Sequence, residues 1–437
     1  MLGLGITGQA VLRALVAHGE GAVAVDDRPT DAGRALADEL GVRLVEAPSP
    51  AALRALVGEV AAVIPSPGVP DHHSLFAAAR EAAVPVLSEF DLAQRWDQRP
   101  LVAITGTDGK TTVAELTRLM LEASGKHAVA VGNLEVPLVA AIADPTIDVF
   151  VVEASSFRLL HSQHFAPAVG TWLNLAPDHL DNHATMEAYT AAKARLWEHQ
   201  GPGDVAIGNA DDPVVLEHLR RAPAQAVTFG LDDTADYHRA GERLMLADGE
   251  VLATVGELVR AFPHDIANAL AAAASAHHGG GTTAGAREAL IAFRGLPHRV
   301  SLVGEAGGVR WYDDSKATAP HATRAAVQSF PAVVLIAGGR NKGLDLTELA
   351  LDHDHIRAVV AIGEAGPDVA AAFDGLRPVR MAESMDDAVA TAAGLAHDGD
   401  VVLLSPGCTS FDWYRSYGER GDDFVRAVQA LLERAAR

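Results

Sequence analysis

The stretch LVAITGTDGKTTVAELTRLMLEASG, residues 101–125, decides how this chain reads. Its first five residues form a run of strand length, apolar but for Thr105, that ends at a glycine. Further on, Val113, Leu116, Met120 and Ala123 recur on one helical face, and Gly125 supplies the C-terminal stop. A buried strand therefore feeds a glycine loop and then an amphipathic helix. In that loop, Gly106, Thr107, Asp108, Gly109, Lys110, Thr111 and Thr112 carry what phosphate binding needs. The glycines let successive backbone N–H groups turn inward, the helix N-terminus adds a favourable dipole, and Lys110 brings a positive charge to the β/γ end. Thr111 is placed to ligate Mg²⁺. Only two residues separate the glycines, so the general G-x-x-x-x-G-K-[ST] form is not met.

Strand-length apolar runs alternate with helical patterns on both sides of this unit, as in α/β proteins with parallel sheets. Before it, 21–27, 42–47 and 61–69 read as strands, with helices around 8–19, 30–40 and 50–58. After it come strands at 147–154 and 169–176 and a strong helix at 264–278. A last block has strands at 309–314, 332–339, 358–363 and 400–407. The polar stretch 232–250 reads as a hairpin excursion, and Gly295 and Pro297 mark a boundary near 296. Three domains are expected for 437 residues.

Asp and Glu outnumber Lys and Arg 57 to 35, a net charge of −22. That excludes a nucleic-acid or membrane binder held by a general basic field, so anionic ligands need local cationic pockets. The single cysteine, Cys408, rules out an intramolecular disulfide and suits a cytoplasmic protein. No apolar run approaches the ~18 residues of a membrane span, and the first residues lack the pattern of a signal peptide.

Gly3-Leu4-Gly5-Ile6-Thr7-Gly8 matches G-x-G-x-x-G, with Asp26 and Asp27 at the end of the next strand-like run. Taken alone it reads as a dinucleotide turn, as a turn for another diphosphate such as that of a UDP-sugar, or as a tight structural turn. Almost no strand precedes it: either the first strand is very short, or translation begins upstream of Met1. Ser66, Pro67 and Gly68 end the third strand of this block and are expected to line the same cleft. Glu153 closes an apolar strand and is placed to hold Mg²⁺ directly or through water. His179, with Asp178 and Asp181 beside it, follows another strand end. Lys193, in the helical YTAAKARLW, reads as an ordinary exposed lysine.

Together GLGITG, SPGVP, ITGTDGKTT, GNLEVPL, VVEASSFRL, NLAPDHLD, YTAAKARLW, NADDP, GLPHRV, DDSKAT and SPGCTSFD with YGERGDDF resemble the Mur ligase family from end to end. The family's shorter G-x-x-G-K-[ST] loop accounts for the spacing. The resemblance implies α/β architecture in three domains: residues 1–91, Rossmann-like, for a UDP-sugar; 92–295, a P-loop ATPase-like domain with a mostly parallel sheet; and 296–437, Rossmann-like, for the incoming amino acid. Hinges are expected near 91–100 and 296.

It also implies roles. Lys110 and Thr111 would serve the ATP phosphates and Mg²⁺, Glu153 and His179 the metal, and Lys193 would be carried as a metal-binding carbamate, which overturns its ordinary reading. Asn133 would lie near the reacting phosphate, and Asn268, Arg299, Asp314 and Lys316 around ATP. Ile6, Thr7, Asp26, Arg28, Ser66, Pro67 and Gly68 would contact uridine diphosphate, and Thr318, Lys342, Ser410 and Tyr417 D-glutamate. Two Mg²⁺ sites and a monomer are implied. Asp265, Tyr417 and Ala319-Pro320 depart from the usual family residues. SPGCTSFD, the short first domain and the lack of an Asp-Asn-Pro-Arg segment favour the branch that joins D-glutamate to UDP-N-acetylmuramoyl-L-alanine with ATP. Another Mur-type ligase, a non-catalytic UDP-sugar-binding relative and, from a different class, an NAD-dependent oxidoreductase using GLGITG are the alternatives.

Overall fold

The computed structural model describes residues 1–70, 72–134, 136–179, 182–183 and 185–435. Glu135, Leu180 and Asp181, quoted in the motifs above, lie outside the described residues. The chain divides into two compact units, one of residues 1–175, 182–261 and 265–293, the other of residues 176–181, 262–264 and 294–437.

The first unit opens on a short parallel pair, β1 (Val23–Asp26) and β2 (Arg43–Glu46). Leu2 bridges in parallel to both Val25 and Pro65, so the residue before the glycine turn holds the central place in this layer. The expected strand at 61–69 is reduced to single bridges at Val63 and Pro65. Pro65 and Pro67 explain the curtailment, since proline has no N–H to give a ladder. The helix Ile6–Ala17 starts directly from the turn.

The larger sheet contains β3 (Leu101–Thr105), β4 (Ala128–Gly132), β5 (Val149–Glu153), β6 (Val169–Trp172), β7 (Val205–Asn209), β8 (Gln225–Gly230), β9 (Tyr237–Ala240), β10 (Arg243–Met245) and β11 (Val251–Thr254). Its order is β11-β10-β9-β8-β7-β6-β3-β5-β4. β3 is buried along its whole length because helices cover both faces. Val102 and Ile104 join a cluster with the helix Lys110–Ala123 and the alanine-rich helix Pro263–His278, while Leu101 and Ala103 join Phe150, Trp172 and Trp197 on the other face. Alanines let the helix 263–278 approach closely: Ala269 through Ala274, including Leu270, are at most 1% exposed.

One expectation is corrected here. The stretch 232–250 is no excursion: β9 and β10 form an antiparallel hairpin inside the main sheet, and Tyr237, Leu244 and Leu246 belong to its core. The first residues of the stretch expected to hold a hinge, 91–96, are helical, and residues 97–100 lie beyond the helix end. A Ser88–Asp91 capping box starts this helix, Glu89–Trp96, and buried Asp91 accepts bonds from the backbone N–H groups of Gln163 and His164.

The second unit is built on β12 (Ser301–Ala306), β13 (Val309–Asp313), β14 (Val333–Gly338), β15 (Ile356–Ile362), β16 (Val379–Ala382) and β17 (Val401–Leu404), in the order β12-β13-β17-β14-β15-β16. Only the β12–β13 pair is antiparallel. The terminal helix Tyr417–Ala435 packs Phe424 and Val428 onto one face beside Trp311. Pro320 stands at the first position of the helix Pro320–Val327, where a missing N–H costs nothing, so the Ala319-Pro320 departure starts a helix cleanly.

Leu244→Ala tests whether the hairpin is core. Leu244 is fully buried, and its truncation is expected to cost about 2–5 kcal/mol and lower the urea midpoint of the unit. A change within about 0.5 kcal/mol would return the hairpin to the surface.

Candidate functional site

The phosphate loop grows out of the carboxyl end of β3 and is held by its neighbours on either side. From the β6 side, Asn174 Oδ1 accepts the N–H groups of Thr107 (3.0 Å) and Asp108 (2.9 Å), and its Nδ2 donates to the Asp108 carbonyl at 3.3 Å. One amide side chain thus fixes three loop atoms. Gly109 starts the helix with φ +81°, and a Cβ there would lie 2.6 Å from Asn268 Oδ1. Both the left-handed backbone and the contact with Asn268 therefore require glycine. Gly109 offers no side-chain cap, which leaves the opening of the helix to an anion.

Lys110 Nζ is folded back, donating to the carbonyls of Gly106 (2.9 Å) and Thr107 (2.8 Å). Lys193 reaches the same Gly106 carbonyl at 2.6 Å, only 1% exposed, with its ammonium 4.4 Å from the centre of the Tyr189 ring. The exposed-lysine reading is thus corrected: the helix Met186–Glu198 turns this residue inward. Tyr189 OH also meets Thr107 Oγ1 at 3.3 Å.

On the other flank, β5 pairs with β3 in parallel with Glu153 opposite Ile104, so its carboxylate emerges beside the loop. Glu153 is 3% exposed, and its Oε1 accepts from Asn133 Nδ2 at 3.1 Å. Its Oε2, like the Ser155 hydroxyl two residues on, is buried without a hydrogen-bond partner. A buried carboxylate oxygen and a hydroxyl, both unpaired, are the oxygen donors a hard divalent cation takes. The residues present fit Mg²⁺. Among the described residues no three His, Cys, Asp or Glu side chains cluster closely enough to hold an ion by themselves.

At the glycine turn, Asp26 is already engaged, its oxygens accepting the N–H groups of Leu4 (2.6 Å) and Arg28 (2.8 Å). Ser66 adjoins the turn, its Cβ 3.1 Å from where a Gly3 Cβ would be. Ile6 is 73% exposed on the same turn, while Pro67 is half-buried and Gly68 and Arg28 are exposed. Arg158, which the sequence reading passed over, links this turn to the segment after Glu153. Its guanidinium donates to Thr7 Oγ1 at 3.0 Å and to buried Glu89, whose other oxygen accepts the Val139 N–H at 3.1 Å. Near Asn268, Asp265 is held by Arg260 at 3.1 and 3.2 Å, so Asn268 is the residue of that helix touching the loop.

In the second unit, His179 stands 3.3 Å from Asp178, which also pairs with Lys342 at 3.2 Å. Burial alone would raise the Asp178 carboxyl, but His179, Lys342 and His321 hold it below the usual carboxylate range. Burial pushes the Asp314 carboxyl up to about 7 despite Ser405, Arg299 and Val300, which favour the charged form. Lys316 Nζ lies 5.0 Å from the centre of the Tyr417 ring. Thr318 is half-buried and Ser410 buried.

Two family models match: the Mur ligase middle domain over residues 104–276 and the Mur ligase glutamate ligase domain over 298–408. Among solved structures, a pseudomurein peptide ligase type C from Methanothermus fervidus has a TM-score of 0.63 at 17% identity, and UDP-N-acetylmuramate-alanine ligase from Thermotoga maritima 0.59 at 19%, each alignment covering 98% of both chains. At such identities they speak for the fold alone. UDP-N-acetylmuramoylalanine--D-glutamate ligase of Frankia casuarinae is 42% identical, covering 98% of this chain and 93% of its own. The enzyme of the same name from Thermobifida fusca is 39% identical over 98% and 97%. The chain belongs to the Mur ligase family.

Asn174→Ala removes the clamp while leaving every loop residue in place. It is expected to weaken binding of a nucleoside triphosphate on the order of tenfold, read by calorimetry, with little change in thermal midpoint. Unchanged affinity would mean that the loop holds its shape unaided.

Proposed function

We propose that this chain is an ATP-dependent ligase joining D-glutamate to UDP-N-acetylmuramoyl-L-alanine, a step of peptidoglycan synthesis. What carries the reading is the D-glutamate-adding activity named for relatives 42% and 39% identical over nearly the whole chain, together with a phosphate loop built as described. Residues 1–91 bind the UDP-sugar, 92–295 bind ATP, and 296–437 bind the amino acid, in a monomeric, cytoplasmic enzyme. No helix among the described residues is long and apolar enough to cross a membrane. The family match leaves the oxidoreductase alternative without support, and it gives GTDGKTT and DDSKAT a use that a nicotinamide enzyme would not.

In this reading the substrate's terminal carboxylate attacks the γ-phosphorus of ATP, giving an acyl phosphate and ADP. The D-glutamate amine then adds to the acyl carbon and phosphate leaves. Negative charge moves between oxygens in both steps, so the protein's work is to meet that charge with donors already in place. Lys110 leaves the Gly106 and Thr107 carbonyls for the phosphates, the helix opening supplies N–H groups, and Asn133 lies beside Glu153 at the reacting end. Arg299, Asp314 and Lys316 close over ATP. Ile6, Thr7, Asp26, Arg28 and the Ser66-Pro67-Gly68 turn take the uridine diphosphate. Thr318, Lys342, Ser410 and Tyr417 take D-glutamate.

Thr111 and Glu153 would hold one Mg²⁺, and His179 with carbamylated Lys193 a second. When bound, such ions neutralise phosphate oxygens and offset the repulsion between carboxylate and triphosphate. Conversion of the Lys193 amine to a carbamate replaces a cation with an oxygen-donor anion.

The deciding assay is phosphate release with a panel of amino acids. Release that needs ATP, the UDP-sugar and D-glutamate together is the expected result; activity with L-alanine or a diamino acid and none with D-glutamate overturns the named reaction. In the same assay Lys110→Ala is expected to lower turnover on the order of a thousandfold. Lys193→Ala is expected to lose activity and regain part of it with added short carboxylates; an unimpaired variant removes the carbamate.

A further inference from the structure

The second unit contains a buried cation whose partners are not carboxylates. Arg420, on the helix Tyr417–Ala435, is 1% exposed, and among the described residues no acidic side chain forms an ion pair with it. Its Nε donates to Ser315 Oγ (2.9 Å), Nη2 to the Ser315 carbonyl (2.7 Å) and Nη1 to the Cys408 carbonyl (3.1 Å). Ser315 Oγ in turn donates to the Tyr417 carbonyl at 2.7 Å, and the Ser315 N–H bonds to Asp313 Oδ1 at 2.9 Å. Space for the guanidinium comes from Gly339, where a Cβ would stand 3.1 Å from Nη1 and 2.2 Å from the Thr409 carbonyl.

Burying an arginine is costly, and main-chain carbonyls repay less of that cost than a carboxylate would. What the arrangement provides is geometry. Three separate chain segments, 313–318, 408–410 and 417–420, meet at one planar fork. Thr318, Ser410 and Tyr417 lie on these same three segments, within three residues of an atom that Arg420 or Ser315 binds.

We propose that Arg420 is the positioning residue of the amino-acid subsite, fixing the loops of Thr318 and Ser410 and the start of the terminal helix at Tyr417 in one relative placement. The inference rests on the assignment of these three residues to the incoming amino acid. A lysine could satisfy one or two of these acceptors but not reproduce the fork, and a methionine of similar length satisfies none.

The test is a comparison of Arg420→Met, Arg420→Lys and Ser315→Ala by steady-state kinetics, varying each of the three substrates in turn. Arg420→Met is expected to raise the KM for the amino acid at least about tenfold while the KM values for ATP and the UDP-sugar stay within about twofold, with Arg420→Lys between it and the wild type. Ser315→Ala, which keeps the guanidinium but removes the relay to Tyr417, is expected to raise the same KM about threefold; it carries the test if Arg420→Met does not fold. Equal rises in all three KM values, or a lower thermal midpoint with an unchanged amino-acid KM, would reduce Arg420 to a structural residue and overturn the proposal. Failure of the functional reading looks different: the wild type would then prefer another amino acid, and the split would be read with that one.

Discussion

Three adjacent parallel strands, β5, β3 and β6, end together, and the first unit's chemistry depends on that shared edge. A parallel ladder brings the carboxyl ends of its strands to one side of the sheet, so the residues leaving each strand arrive at the same place. After β3 comes the phosphate loop, after β5 Glu153 and Ser155, and after β6 Asn174. None of these is near the others in sequence. A one-residue slip of β5 against β3 would turn Glu153 to the other face of the sheet, and the unpaired oxygen would no longer stand beside the loop.

The same dependence explains which parts were legible in the sequence. The strand, loop and helix at 101–125 were legible because the apolar period changes abruptly at two glycines and a lysine. The helix at 264–278 was legible from its length. The hairpin at 237–245 was legible as a hairpin but not as core, since Arg239, Glu242 and Arg243 stand among the few apolar residues that carry its burial. Lys193 shows the limit most clearly. A helical pattern says which residues share a face but not what stands opposite, and its inward orientation came only from family resemblance. Asn174 and Arg420 fall inside the motifs NLAPDHLD and YGERGDDF, but the pattern gave neither a role: an amide after a strand and an arginine on a terminal helix are ordinary surface residues until their partners are known.

The charge distribution has a similar logic. On the exterior, arginines are matched to acids, as in Arg34 with Glu46, Arg118 with Glu115 and Glu122, and Arg426 with Asp386 and Asp423. Such pairs contribute only about 0–1 kcal/mol each and leave the acidic excess in control of the surface. Lys110 and Arg420 are anchored to carbonyl oxygens instead. A carbonyl orients a cation without cancelling its charge, and so a strongly acidic protein retains positive potential at chosen points.

The Gly106 carbonyl, shared by Lys110 and Lys193, carries this a step further. One main-chain oxygen ties the loop both to the helix it opens and to the helix Met186–Glu198. Any displacement of the second helix is therefore felt at the first residue of the loop, and the placement of the phosphate-binding N–H groups depends on a helix that contributes none of them.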